Sequence, residues 1–244
     1  DSNHQTLVGF LKKITPDLGL PSSILIISAH WEEEIATITS SKNPPLIYDY
    51  YGFPDQAYAI EYPAVGNPEL AEKIYDFLKA DSIEAKLDDE RGFDHGVFVP
   101  LKIMYPEANI PCMQLSLLNS LSSESHLKIG RALSKLRREN ILIIGSGFSF
   151  HNMKALMSGS AAEDHKNEQF EEWLIETCTN PGLSASARET RLIDWINAPF
   201  ARYCHPREEH LLPLHICMGM CESAAKLAFE SYVAGKKTSA FLWH

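Results

Sequence analysis

The sequence predicts one α/β domain spanning residues 1–244, with a largely parallel central sheet flanked by helices. Two near-continuous apolar runs carry that expectation: Ile24-Leu25-Ile26-Ile27 and Ile141-Leu142-Ile143-Ile144. Runs of this kind read as strands covered on both faces. Between and after them come amphipathic stretches with helical spacing, and no linker or repeat divides the chain.

In order along the chain, Asp1-Ser2-Asn3 is a cap for a helix through residues 6–14. Pro21-Ser22-Ser23 leads into a strand at 24–28, and the alternation at 34–40 predicts a second. Residues 41–66 contain Pro44, Pro45, Gly52, Pro54, Pro63 and Gly66 and are rich in tyrosine. A long irregular segment with that aromatic content is expected to be packed and functional. Pro68, after Asn67, starts a helix through 78. A strand at 83–87, a loop at 91–96 and a short helix at 97–104 follow. Next come a strand at 111–117, a helix at 123–138 and the buried strand 141–144. A helix is expected at 163–178. The segment 188–203, broken by Pro199, is expected to cover the site, and a helix from His205 to Cys221 follows it. Residues 225–233 and 238–242 read as a closing pair of strands around Gly235-Lys236-Lys237.

Composition excludes several classes. A net charge of -10 argues against a nucleic-acid backbone as partner. No apolar run approaches the ~20 residues of a membrane helix, and no secretory leader is expected. The five cysteines form no CxxC pair, although Cys217 and Cys221 have the spacing to share a helix face. Reduced core cysteines in a cytoplasmic protein are the expectation.

The histidines are the candidate chemistry. His30, in Ser28-Ala29-His30-Trp31-Glu32, ends the first apolar run and so sits at the carboxyl end of a strand. Ligands collect there in open α/β sheets. His151 follows the second run through Gly145-Ser146-Gly147. His95 lies in Phe93-Asp94-His95-Gly96, a turn that projects the ring. His205 and His210 lie in Cys204-His205-Pro206-Arg207-Glu208-Glu209-His210, and imidazole or carboxylate there has the chemistry of a metal ligand. On a helix Glu209 and His210 would point about 100° apart, so only one would face a given site. His4, His126, His165 and His244 are expected to be solvated, and His215 to be a hydrogen-bonded core residue. Gly145-Ser146-Gly147 lacks the full spacing of a serine-hydrolase nucleophile turn. It also lacks the Lys-Ser/Thr of a phosphate loop, and the chain has no His-Glu-x-x-His zinc motif.

Taken together, six segments resemble the class III extradiol ring-cleaving dioxygenases, in the branch of the DOPA 4,5-extradiol dioxygenases. They are Ser28-Ala29-His30-Trp31-Glu32, the stretch 47–54, Tyr62-Pro63-Ala64 with Gly66-Asn67-Pro68, the stretch 91–101, Gly145-Ser146-Gly147 to His151-Asn152, and the stretch 205–214. They occur in family order over residues 22–220.

The resemblance implies that His30 and His210 are metal ligands, His151 the acid/base residue, and His95 a hydrogen-bonding partner of substrate or dioxygen. It implies Tyr48 and Tyr51, with His95, as substrate-binding residues. The metal would be Fe(II), with Zn(II) common in purified relatives. The substrate would be a small aromatic diol such as DOPA, opened with O2, by a protein that needs no nucleic acid or membrane and is monomeric or a homo-oligomer. Related branches place a carboxylate where this motif has His210 beside Glu209. The resemblance also implies an N-terminal strand ending in a His-Gly turn with a further ligand. This sequence contains no such strand, and His4 matches the stretch after that turn, so it is not a substitute. Two other readings use the same residues: a non-catalytic binding protein on this scaffold, metal-free or zinc-bound, and a zinc-dependent hydrolase acting through His30 and His210.

Overall fold

Successive residues of a strand face opposite sides of its sheet, and the first apolar run uses both sides. In the computed structural model, which describes residues 4–157 and 165–244, α1 (Gln5–Leu18) leads into β1 (Ser23–Glu33) and β2 (Ala36–Thr39). Then come α2 (Pro68–Ala80), β3 (Ala85–Asp88), α3 (His95–Met104), β4 (Cys112–Leu118), α4 (Ser123–Leu133) and β5 (Ile141–Ser146). They are followed by α5 (Met153–Met157), α6 (His165–Thr179), α7 (Ala185–Ile193), α8 (Ala201–Cys204), α9 (Leu212–Gly219) and the hairpin of β6 (Lys226–Val233) and β7 (Lys236–Leu242).

The main sheet has the order β3-β2-β4-β1-β5. β1 runs parallel to β4 and β5, and β2 parallel to β3; only the β2–β4 contact is antiparallel. The expected largely parallel α/β sheet is therefore present. Leu25 and Ile27 face a core shared with Ile74, Leu78, Ile129, Leu133 and Ile216, from α2, α4 and α9. Ile24 and Ile26 face the other side, against Phe93, Val97, Phe98 and Leu101 around α3. A third core, of Phe150, Phe170, Leu174, Leu192 and Trp195, joins α6, α7 and the loop after β5.

Local chemistry explains the helix starts. The Asn67 side chain accepts the Leu70 amide ahead of α2, and Ser122 accepts the Ser125 amide ahead of α4. The cap expected at residues 1–3, and residues 163–164 of the expected helix 163–178, lie outside the described residues. The segment 41–66 is packed, as expected: Tyr48 donates to the Ile60 carbonyl, and Leu46 bridges Phe93. Among the described residues, no helix is long and apolar enough to cross a membrane.

Several expectations are corrected. β1 does not stop at Ser28 but continues to Glu33, with its register against β4 shifting between Ile27 and Glu32. The expected helix 123–138 tightens into a 3-10 turn at Ser134–Arg138. The expected helix from His205 to Cys221 forms only from Leu212 to Gly219, and the residues before it make turns. The segment 188–203 packs in the third core through Leu192, Trp195 and Ala201, and its end reaches the loop of His151, where the Asn152 side chain donates to the Tyr203 carbonyl (2.7 Å). His126 is buried, because the Leu118 amide donates to its Nε2 (3.0 Å) and the ring bonds the Ser122 carbonyl (2.7 Å). His215 is a core residue as expected, held by the carbonyls of Leu211 and Leu192.

Candidate active site

The irregular stretch of β1 places His30 beside the start of α3. A bulge in a strand re-aims a side chain, and here the imidazole emerges half-buried, 28% exposed, between buried Ala29 and Trp31. Beneath it Asp94 is fully buried. It accepts from Ser28 Oγ (2.8 Å), from the Gly96 amide and from Gln114, and it pairs with Arg91. Asp94 thereby caps α3 and fixes His95 as the first helical residue, rather than leaving it in a turn. Ser28 Oγ also accepts the His30 amide, so one buried carboxylate braces the mounts of both histidines.

Asp49, from the long irregular segment, accepts both the His95 amide (3.0 Å) and His95 Nδ1 (2.8 Å). Its other oxygen lies 3.9 Å from His30 Nδ1. Burial pushes the Asp49 carboxyl up, but the His95 hydrogen bonds outweigh it and bring the pKa down to about 2.

The other two histidines arrive on interlocked loops. The His151 amide donates to the Cys204 carbonyl, and the Phe148 amide to the His210 carbonyl, both at 3.0 Å. His205 is fully buried, and its Nε2 donates to the Ser149 carbonyl at 2.7 Å. It therefore locks the loop from behind and stays out of the cluster. Gly147 permits the close approach, since a Cβ there would lie 2.2 Å from the His210 carbonyl oxygen.

The outcome is a row of four imidazoles from four separate parts of the chain. Ring centroids are 4.0 Å apart for His95 and His30, 5.0 Å for His30 and His210, and 3.3 Å for the stacked pair His210 and His151. Asp49 closes one end. Glu209 closes the other, with Oε1 3.0 Å from His210 Nδ1 and 3.3 Å from His151 Nδ1. Because the stretch before α9 is not helical, Glu209 and His210 face the same site, which corrects the expectation that only one would. Burial pushes the Glu209 carboxyl up, but hydrogen bonds from His151 and His210 outweigh it and hold the group well below the ordinary range. Burial, reinforced by His95 and His210, lowers the His30 pKa to about 3. Burial also lowers that of His210, against the opposing hydrogen bond of Glu209. Neutral imidazoles are the form that binds metals. Two sets of donors lie close enough to hold an ion: His30, Asp49 and His95, and His151, Glu209 and His210.

Among the tyrosines, Tyr50 meets His95 edge-on at 5.6 Å. Tyr48 stacks behind it against Phe98, and Tyr51 is 90% exposed. A cavity of about 350 Å³ beside His151 is lined by Asn152, Lys154, Arg207 and Glu209, among others. Arg207 pairs with both oxygens of Glu32 (2.5 and 2.6 Å) and tethers this loop to β1. Ser146, in the nucleophile-like turn, donates to the Gly96 carbonyl at 2.6 Å. Sequence reasoning gave Asp94 only a place in the turn before His95 and did not single out Asp49 or Tyr50. The only signal for them is position, each beside a residue that was singled out.

Residues 3–241 match the family model described as the catalytic LigB subunit of aromatic ring-opening dioxygenase. The chain is 38% identical over 219 residues to a 4,5-DOPA dioxygenase extradiol of Beta vulgaris, covering 88% of this chain and 80% of the relative. It is 37% identical over 252 residues to the dioxygenase tasH of Hapsidospora irregularis, covering 93% and 75%. The crystal structure of an uncharacterized Escherichia coli K12 protein superposes with a TM-score of 0.77 at 26% identity, covering 95% of this chain and 90% of the other. With its four-imidazole row on an α/β sheet, this chain belongs to the LigB family, that of the catalytic subunit of aromatic ring-opening dioxygenases.

Proposed function

We propose that the protein is an extradiol dioxygenase that opens the ring of a catechol, a DOPA-like diol, with O2. The observation that carries this reading is the convergence of His30, His95, His151 and His210 in one row with a carboxylate at each end. The donor chemistry fits a divalent ion: burial keeps His30 and His210 neutral, and their ring centroids lie 5.0 Å apart, edge-on, each ring within its own trio of donors close enough to hold an ion, His30 with Asp49 and His95, and His210 with His151 and Glu209. In this reading His30 and His210 hold Fe(II), or Zn(II) in purified protein. The ion would supply the electronic link between diol and dioxygen, which react slowly alone.

The protein's own residues do the rest. His151 takes a proton from a catechol hydroxyl and later returns it, a role worth ~10²–10⁴-fold in rate. His95, oriented by Asp49, hydrogen-bonds the oxygen atoms of the reactants. Tyr48 and Tyr50 form an aromatic wall beside His95, with Tyr51 exposed at its rim. Such a wall stacks on a ring and excludes water. The reduced cysteines suit a cytoplasmic setting.

Oxygen uptake by Fe(II)-loaded protein, measured with a panel of catechols that includes DOPA, tests the proposal. One O2 consumed per ring opened, with a yellow semialdehyde product, is expected. Metal-loaded protein that consumes no oxygen with any catechol overturns it, and turnover that persists without O2 assigns a hydrolase instead.

A further inference from the structure

We infer that Asp94 is the positioning residue that sets His30 and His95 relative to each other, although it touches neither ring. The roles of the two histidines rest on the function proposed above; the link between their mounts does not. Asp94 is fully buried and gathers donors from β1, β4, α3 and the loop before α3. Its Oδ1 accepts Ser28 Oγ (2.8 Å) and the Gly96 amide (3.0 Å). Its Oδ2 accepts Gln114 Nε2 and faces Arg91 Nη2 at 3.3 Å. A carboxylate offers about four lone-pair sites, so all of them are engaged by fixed parts of the fold.

The two branches from Oδ1 carry different histidines. Ser28 Oγ donates to Asp94 and accepts the His30 amide (3.2 Å), so the His30 backbone hangs on Asp94 through one hydroxyl. The Gly96 branch caps α3 and makes His95 its first residue. There is no slack between the branches: a Cβ on Gly96 would lie 2.4 Å from Ser28 Oγ, 3.1 Å from Asp94 Oδ1 and 3.1 Å from Cδ2 of His30. The two ring centroids end 4.0 Å apart. Asp49 touches this end of the row as well, but its side chain is 23% exposed and reaches His30 only at 3.9 Å. It orients the His95 ring without fixing His30. The branches meet only at Asp94. Loss of Ser28 Oγ leaves Asp94 its other donors and α3 its cap, whereas loss of Asp94 frees Ser28 and Gly96 together. The residue that holds a metal and the residue that meets the oxygen atoms thus share one support.

The test is amide hydrogen exchange in the full chain without metal, which reports local opening, together with Zn(II) titration and ring-opening kinetics. In Asp94→Ala the His30 amide is expected to exchange faster although its own acceptor, Ser28, is intact. Zn(II) binding weakens in that variant by roughly 10–100-fold, the usual effect of losing a group behind a metal ligand, and kcat falls more than KM rises. In Ser28→Ala, Zn(II) binding also weakens, but the Gly96 amide stays slow because Asp94 still holds it. Asp94→Asn keeps Oδ1 for both branches, and Gln114 Oε1, which has no partner among the described residues, is available to the new amide. The Asn variant is therefore expected to recover slow exchange at His30 and most of the Zn(II) affinity lost in the Ala variant. Wild-type exchange at His30 or wild-type Zn(II) affinity in Asp94→Ala overturns the inference, as does fast exchange at Gly96 in Ser28→Ala. If Asp94→Ala does not fold, the other two variants still decide: Zn(II) affinity must fall in Ser28→Ala and hold in Asp94→Asn. If exchange and Zn(II) binding behave as inferred but no catechol is opened by wild type, the proposed function fails and this inference stands.

Discussion

Gly147→Ala is the sharpest perturbation available, because it adds one methyl group at the crossing of the two loops that carry His151 and His210. The added Cβ would lie 2.2 Å from the His210 carbonyl oxygen, 0.8 Å inside the 3.0 Å that real Cβ atoms respect. It would also be 3.1 Å from the His210 carbonyl carbon and 3.2 Å from Pro213 Cγ. The obstacle is backbone at the base of α9, so no flexible side-chain end can swing away. Gly147 does not have a positive φ, so alanine is otherwise acceptable there and gains about 0.4–1 kcal/mol through the unfolded chain. Against that gain stand overpacking, about 1–3 kcal/mol, and the Phe148–His210 hydrogen bond, about 1 kcal/mol net. A net loss of roughly 1–3 kcal/mol is expected, or a Tm lower by several degrees at this chain length. Moving His210 by about 1 Å is expected to cost ~10²-fold in turnover. Urea unfolding, Zn(II) titration and ring-opening rates measure the three effects. Gly9→Ala in α1, where a Cβ meets nothing within 4 Å, is the control and is expected to stabilise slightly. If Gly147→Ala matched wild type in stability, metal affinity and turnover, the reasoning from interlocked loops would be refuted.

Three further outcomes are expected. His151→Ala keeps the metal but lowers turnover by at least ~10²-fold, checked by metal analysis beside oxygen uptake; turnover within a few-fold of wild type would remove His151 from its role. Glu171 is buried against the closing hairpin, where Ser239 donates to one oxygen and the other has no partner. Burial, opposed by hydrogen bonds from Ser149 and Ser239, raises its pKa from 4.5 to about 7. The folded state thus binds this proton more tightly than the unfolded one, and the contribution, full below pH 4.5, is lost as pH rises to 7. Glu171→Gln should flatten unfolding free energies across that window and raise stability at pH 8 by at most about 3 kcal/mol; an unchanged pH slope would contradict the assignment. His126→Leu leaves the Leu118 amide without its partner, while the Ser122 carbonyl keeps the amide of residue 126, at a cost of about 1–3 kcal/mol, and an unchanged urea midpoint would show that water replaces the ring.

Much of this molecule is written in short-range pattern. The two isoleucine-rich runs are adjacent parallel strands, but only the first is covered on both faces: residues 141–144, expected to be buried, form the edge strand of the sheet and are half-buried. Asn67-Pro68 and Ser122 start helices because their side chains or ring suit the first turn. The closing hairpin and the core position of His215 were also legible, and His30, His95, His151 and His210, picked out as candidates with the help of family resemblance, are brought into one row by the structure. What the tertiary structure decided depends on partners far away in the chain. Helical spacing separates Glu209 from His210 by about 100°, but the Phe148 amide donating to the His210 carbonyl and the tether from Arg207 to Glu32 hold that stretch as turns and bring both side chains to one site. His126 is surrounded by polar neighbours in sequence and is nonetheless buried, because the end of β4 offers it an amide. Asp49 is marked in the sequence only by its place in the stretch 47–54: its contacts exist because the start of α3 presents it with two N–H groups 46 residues on. Periodicity records which face of an element meets the core, whereas hydrogen bonds between loops depend on a geometry that forms only when the whole chain has closed.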